Sequence, residues 1–219
     1  SSDYFQKEQR DQILTMTFIL KSDVCGNTST IANMIWRDYV DNIPKYLSKI
    51  LKNIYEQLMN LLSYQTDETF EIAEASVKLL SSKFSDKFFM ELLPVIRETI
   101  IQQKENERIV NTSFYILYIA VSEISEKLLS AFKDKILKII NENLFTPFSS
   151  VRKQIAKIVY EISRKLNDHN LNRNLIFNVM KQARGKPTEE QKMILEIVAC
   201  LVEISKGEII NYAISEIFR

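Results

Sequence analysis

Apolar residues recur along this chain at intervals of three and four, and no stretch shows a sustained two-residue alternation bounded by turn dipeptides. The pattern predicts an all-α fold. After Pro44, residues Leu47, Ile50, Leu51, Ile54, Leu58, Leu61 and Leu62 fall on one helical stripe that a partner helix can cover. Pro44 itself suits a first helical turn, where its missing N–H costs nothing. A second stripe, Val151, Ile155, Ile158, Val159, Ile162 and Leu166, leaves Lys153, Lys157 and Arg164 elsewhere on its helix. The longest apolar run, Phe114 to Val121, falls well short of the roughly 20 residues that span a membrane. It reads as a core helix.

The predicted helices come in pairs. First helices are expected to begin near Asp3, Pro44, Asp86, Glu126, Asp168 and Gly207, and second helices near Thr28, Glu68, Glu107, Ser150 and Thr188. Each series steps by about 40 residues, the period of HEAT and armadillo arrays rather than of tetratricopeptide or ankyrin arrays. HEAT is preferred, because armadillo units carry a third short helix with a glycine at its junction and this chain has three glycines in all. The expected organisation is a HEAT-type solenoid of about five pairs over 1–219. The pairs are placed at 3–42, 43–84, 85–125, 126–166 and 167–206, with a sixth begun at 207–219 and the whole cut from a longer array.

Turn-forming and polar strings separate the helices of a pair: Ser22 to Asn27, Tyr64 to Asp67, Lys104 to Asn106, Phe145 to Ser149 and Gly185 to Pro187. Thr188 and Gln191 have the spacing of a capping box. Pro147, followed by Ser149, Ser150, Val151 and Arg152 through Ala156, reads as the turn and second-helix opening of a HEAT unit, with valine and alanine facing inward and arginine beside them.

Composition removes chemistry. Gly26, Gly185 and Gly207 are too scattered for a phosphate-cradling loop, and a single histidine, His169, cannot supply a multi-histidine metal site. Cys25 and Cys200 form no CxxC pair and read as reduced thiols of an intracellular, cytoplasmic protein. The start, Ser1-Ser2-Asp3-Tyr4, shows no basic region followed by an apolar core, so a secretory or transit peptide is not expected. Lys+Arg 29 against Asp+Glu 28 gives a net charge of +1, so any contact with nucleic acid or an anionic membrane must be a local patch. No enzyme activity, cofactor, metal or small-molecule substrate is expected.

Glu68, Glu71 and Glu74 sit where carboxylates favour a helix dipole rather than where they would form an acid–base pair. The nine Tyr, twelve Phe and one Trp fall mostly within apolar stripes, which favours core packing over base stacking. Trp36 stands at a junction between pairs, where a large ring can fill the gap. The residual candidate is a basic ridge: Arg152, Lys153, Lys157, Arg164 and Lys165 on one helix, with Lys133, Lys135 and Lys138 on its predicted partner. Such a ridge could touch RNA phosphates or an acidic protein, although Glu161 and Asp134 interrupt it.

The string from Ile35 to Leu51 resembles a segment of the general control non-derepressible protein one family, the HEAT-repeat activators of the kinase that phosphorylates initiation factor two alpha. Trp36, Val40, Asn42, Pro44, Leu47, Ile50 and Leu51 match, and Ile43 departs. Leu92-Leu93-Pro94, Glu107-Arg108 and Val151-Arg152 with Ala156 fall where similar family residues are expected. Lys78-Leu79 and Ser81-Ser82 replace a glycine-aspartate and an arginine of the family. The resemblance implies a non-catalytic scaffold near or just before the region that binds the kinase's RWD domain, with ribosomes and that kinase as partners under amino-acid starvation. No kinase-contact residue carries over. A HEAT scaffold of another assembly, such as a transport receptor or phosphatase, and direct RNA binding are the alternative readings.

Overall fold

Stripes spaced at three and four residues become helices throughout. The computed structural model describes residues 7–63, 67–205 and 209–217, and among these residues it contains eleven α-helices and no strand. They are α1 (Lys7–Leu20), α2 (Gly26–Tyr39), α3 (Ile43–Ser63), α4 (Asp67–Lys83), α5 (Ser85–Gln102), α6 (Glu107–Glu123), α7 (Glu126–Glu142), α8 (Ser149–Lys165), α9 (His169–Ala183), α10 (Thr188–Ile204) and α11 (Ile210–Ile217). Helices expected near Pro44, Asp86, Glu126, Thr28, Glu68, Glu107, Ser150 and Thr188 begin within about two residues of those positions, the usual uncertainty of a helix end. The starts at Asp3 and Gly207, and the turn residues Tyr64 to Thr66, lie outside the described residues.

The chain divides into two units, 1–102 and 103–219. In the first, α3 packs on α1, α4 and α5, and α1 packs on α2. The expected stripe on α3 is buried at Leu47, Ile50, Leu51, Ile54, Leu58 and Leu62, while Leu61 is only half-buried. Tyr55 and Met59 are buried as well, so the covered face of α3 is wider than the aliphatic stripe. The Ser76 hydroxyl on α4 lies 2.9 Å from the Ile72 carbonyl of its own helix and 3.2 Å from the Ile19 carbonyl of α1, so its one proton is shared between an intrahelical bond and a buried polar tie to α1. Pro94 lies inside α5 and withholds the hydrogen bond that the Met90 carbonyl would receive. Both residues are on the exposed face, where water can satisfy that carbonyl.

In the second unit α8 is the central helix, flanked by α6 and α10 and touched by α7 and α9. The run from Phe114 to Val121 on α6 is buried except at Tyr115 and Tyr118, which are half-buried. Val151, Ile155, Ala156, Ile158, Val159 and Ile162 of α8 are all fully enclosed. The boundary between the units falls between α5 and α6, the two helices that the sequence assigns to one pair, 85–125.

Helix ends show where local chemistry operates. Asn106 caps α6, its side-chain oxygen accepting from the Ile109 N–H at 3.3 Å. The expected capping box at Thr188 is corrected: Thr188 is already helical, the cap position is Pro187 without a side-chain bond, and the Gln191 amide donates instead to the Lys186 carbonyl at 3.0 Å. A threonine inside the first turn cannot present its oxygen to the N–H groups that an N-cap residue serves. After α8, Asn167 takes a left-handed backbone (φ 50°), Asp168 N–H bonds the Ser163 carbonyl at 2.9 Å and Asn167 N–H bonds Arg164 at 3.4 Å. These are the two bonds of a Schellman stop, with asparagine where glycine is usual.

Candidate functional site

Arg152, expected on a surface ridge, is instead 4% exposed. Its Nε donates to Glu196 Oε2 at 3.0 Å, its Nη2 donates to the same oxygen, and its Nη1 donates to the Thr146 carbonyl at 2.7 Å. The guanidinium therefore joins α8 to α10 and to the turn that opens α8. The hydrogen bond from Arg152 holds the Glu196 carboxyl below its ordinary range.

Two further cations of α8 are also engaged. Arg164 forms a two-bond pair with Glu161, at 3.1 and 2.5 Å, one turn earlier on the same helix. Lys165 donates to the Ser122 carbonyl and, at 2.8 Å, to that of Ile124, capping the C-terminal end of α6, where a cation offsets the helix dipole. Burial lowers the Lys165 pKa. Lys157 places its ammonium 5.7 Å from the Tyr118 ring centroid on α6. On α7, Lys133 reaches Asp168 at 3.6 Å and Lys135 lies 5.6 Å from the Phe132 ring. Lys138 and Lys153 are exposed and make no ion pair among the described residues. The predicted basic ridge is thus not a continuous row of free cations. Arg152 leaves it through burial and Arg164 is neutralised by Glu161.

In the first unit, Trp36 on α2 fills the junction as expected: it is 1% exposed, edge-on to Phe18 of α1 at 5.3 Å and to Tyr46 of α3 at 6.1 Å. Its indole N–H is buried without an acceptor. Lys21 lies 5.4 Å from the indole and 5.5 Å from Phe18. Tyr46 donates to Asp11 Oδ1 at 2.5 Å, and Lys49 pairs with the same oxygen at 2.7 Å. Burial first, then the bond to Asp11, pushes the Tyr46 phenol up to about 12. Neither Asp11 nor Glu196 carries a local sequence signal for these roles, since each partner lies far along the chain.

The remaining candidates hold no assembled chemistry. Glu74 pairs with Lys78 at 2.6 Å along α4. His169 opens α9, and its side chain lies outside the described residues. Cys25 and Cys200 are free thiols; hydrogen bonds from Thr28 lower the first and burial raises the second. Among the described residues no group of three or more His, Cys, Asp or Glu could hold a metal ion, and no helix is long and apolar enough to cross a membrane.

Paired helices with aliphatic interiors, joined by short polar turns, define an all-α segment of HEAT-like repeats. No protein-family profile matches the chain. Among curated proteins it is similar to the eIF-2-alpha kinase activator GCN1 of Saccharomyces cerevisiae, 23% identical over 154 residues and 70% of this chain, and to its Dictyostelium discoideum counterpart at 24%. It is also similar to the stalled ribosome sensor GCN1 of Homo sapiens, 24% identical over 187 residues and 84% of this chain. The resemblance first carried by the string from Trp36 to Leu51 therefore holds: the chain is similar to a segment of GCN1 proteins. It spans about 6 to 7% of the length of those relatives.

Proposed function

We propose that this chain is a non-catalytic HEAT-repeat scaffold segment of a GCN1-type protein, acting in the cytoplasm where such a protein senses stalled ribosomes and activates the eIF-2-alpha kinase. The observation that supports this reading most is the similarity to GCN1 proteins over as much as 84% of the chain. The interior agrees with it, because charged groups such as Arg152 and Lys165 are spent tying helices together rather than assembled around a reacting group. In the parent protein the segment would sit near or just before the part that binds the kinase's RWD domain.

A chimera tests the proposal. The matching segment of the yeast relative is replaced by this chain, and phosphorylation of initiation factor two alpha is measured in starved cells beside co-sedimentation with ribosomes. Retained ribosome association with restored phosphorylation supports the reading. A chimera that folds and is expressed but restores neither points to a HEAT scaffold of another assembly, such as a transport receptor or phosphatase. Direct RNA binding would rest on Lys153 and Lys157, the two cations of α8 in the expected ridge that make neither an ion pair nor a bond to a backbone carbonyl among the described residues. Loss of salt-dependent RNA affinity on Lys153→Glu with Lys157→Glu would favour it over protein scaffolding.

A further inference from the structure

Within the first unit, the first turns of α3 and α5 and the last turn of α4 converge on a hollow of about 370 Å³. Its lining is mostly apolar: Leu47, Leu51, Leu80 and Phe88 are buried side chains that face it, and Phe84, the single residue between α4 and α5, is half-buried beside them. Lys83 and Lys87 stand over this lining, both exposed and neither paired with a carboxylate among the described residues. Asp86 is the one acidic residue of the lining. The helix starts at Ile43 and Ser85 bring two positive dipole ends to the same place, and the end of α4 at Lys83 brings one negative end. A third cation is close: burial, and then the like charge of Lys83, lower the Lys21 pKa.

A hollow lined by aliphatic and aromatic carbon under unpaired cations is matched by a ligand with an apolar side chain and flanking carboxylates. We propose that this hollow docks an acidic peptide, which inserts one large apolar side chain among Leu51, Leu80 and Phe88 and sets its carboxylates on Lys83 and Lys87. Helix-in-groove recognition combines apolar anchors with rim charge in this way. A nucleic acid strand fits less well. Strand-tracking surfaces offer a row of cations with aromatic faces open for stacking, whereas here Phe88 is buried and the lining carries two lysines rather than a row. The docking does not depend on the GCN1 reading, since it rests on the geometry of this unit alone.

The test uses the whole chain and a fluorescein-labelled peptide in which glutamates flank a leucine–phenylalanine pair. Fluorescence anisotropy near physiological salt should show saturable binding. Lys83→Glu with Lys87→Glu should weaken it by about tenfold or more, and a peptide with serine in place of leucine and phenylalanine should lose about as much, the equivalent of one buried apolar side chain. Ser48→Trp places a ring in the hollow without changing charge and should also abolish binding. Far-UV circular dichroism of each variant establishes that the helices persist. The proposal is overturned by the absence of saturable binding, or by binding indifferent to all three changes. Preferential binding of polyuridine through the same two lysines would overturn it in favour of RNA. A concentration-dependent dimer lost on charge reversal would assign the hollow to a second copy of the chain.

Discussion

Arg152 of α8 directs two donors, Nε and Nη2, at one carboxylate oxygen of Glu196 on α10, while its third donor holds the Thr146 carbonyl of the preceding turn. One guanidinium thus fixes the angle between a turn and two helices. Arginine can do this because its planar fork presents several donors in fixed geometry.

Arg152→Ala should destabilise the chain by about 2 to 3 kcal/mol in urea titrations, below the full cost of breaking a buried pair because Glu196 is partly exposed and stays hydrated. Arg152→Lys should recover little of that loss, since one ammonium cannot reach both acceptors in the same directions. The Glu196 pKa is depressed in the folded state, so the pair's contribution is present above the unfolded carboxylate range and is lost as pH falls through the folded value. Glu196→Gln should flatten that acid-side slope.

Trp36→Ala should cost about 3 to 5 kcal/mol, the range for deleting a buried aromatic side chain. Trp36→Phe should cost distinctly less. The indole N–H has no acceptor to lose, and the smaller ring can keep its contact with Phe18. Thermal melts of the two variants measure the difference, and equal losses would count against this reading.

At Asn167, glycine should be neutral or slightly stabilising, whereas valine should destabilise by about 1 to 2 kcal/mol because a β-branched side chain collides with the left-handed backbone. Urea midpoints of Asn167→Gly and Asn167→Val provide the comparison.

The raised pKa of Tyr46 favours the protonated phenol in the folded state. Its contribution is therefore complete below the unfolded value near 10 and is lost as pH rises toward about 12. Tyr46→Phe should remove that alkaline decline relative to the parent chain and cost about 1 to 2 kcal/mol at neutral pH, where the bond to Asp11 is lost while Lys49 still pairs with it. Phenolate absorbance followed through an alkaline titration locates the transition.

Helix positions and the apolar faces of α3, α6 and α8 were readable along the chain because helical periodicity and turn chemistry are local: Pro44, Asn106 and the Phe145 to Ser149 turn act within a few residues. The burial of Trp36 was legible for the same reason, as its neighbours Ile35 and Val40 mark a helix end beside a junction. The capping box at Thr188 misread that local code by one residue, and one residue is enough to move a hydroxyl away from the orphan N–H groups.

Charge could not be read this way. Arg152, Lys153, Lys157 and Arg164 look alike as cations on one helix, yet the first is enclosed by Glu196, the last is held by Glu161, Lys157 lies over Tyr118 and Lys153 remains free. The hollow under Lys83 and Lys87 was likewise invisible, since it forms only where the ends of three helices meet. The amino-acid sequence by itself determined that the chain is helical, paired and aliphatic inside, because periodicity and turn preference operate between near neighbours. Only the tertiary structure decided which cations face outward, because an ionic partner is chosen by distance in space, and Glu196 lies a helix pair beyond the arginine that it holds.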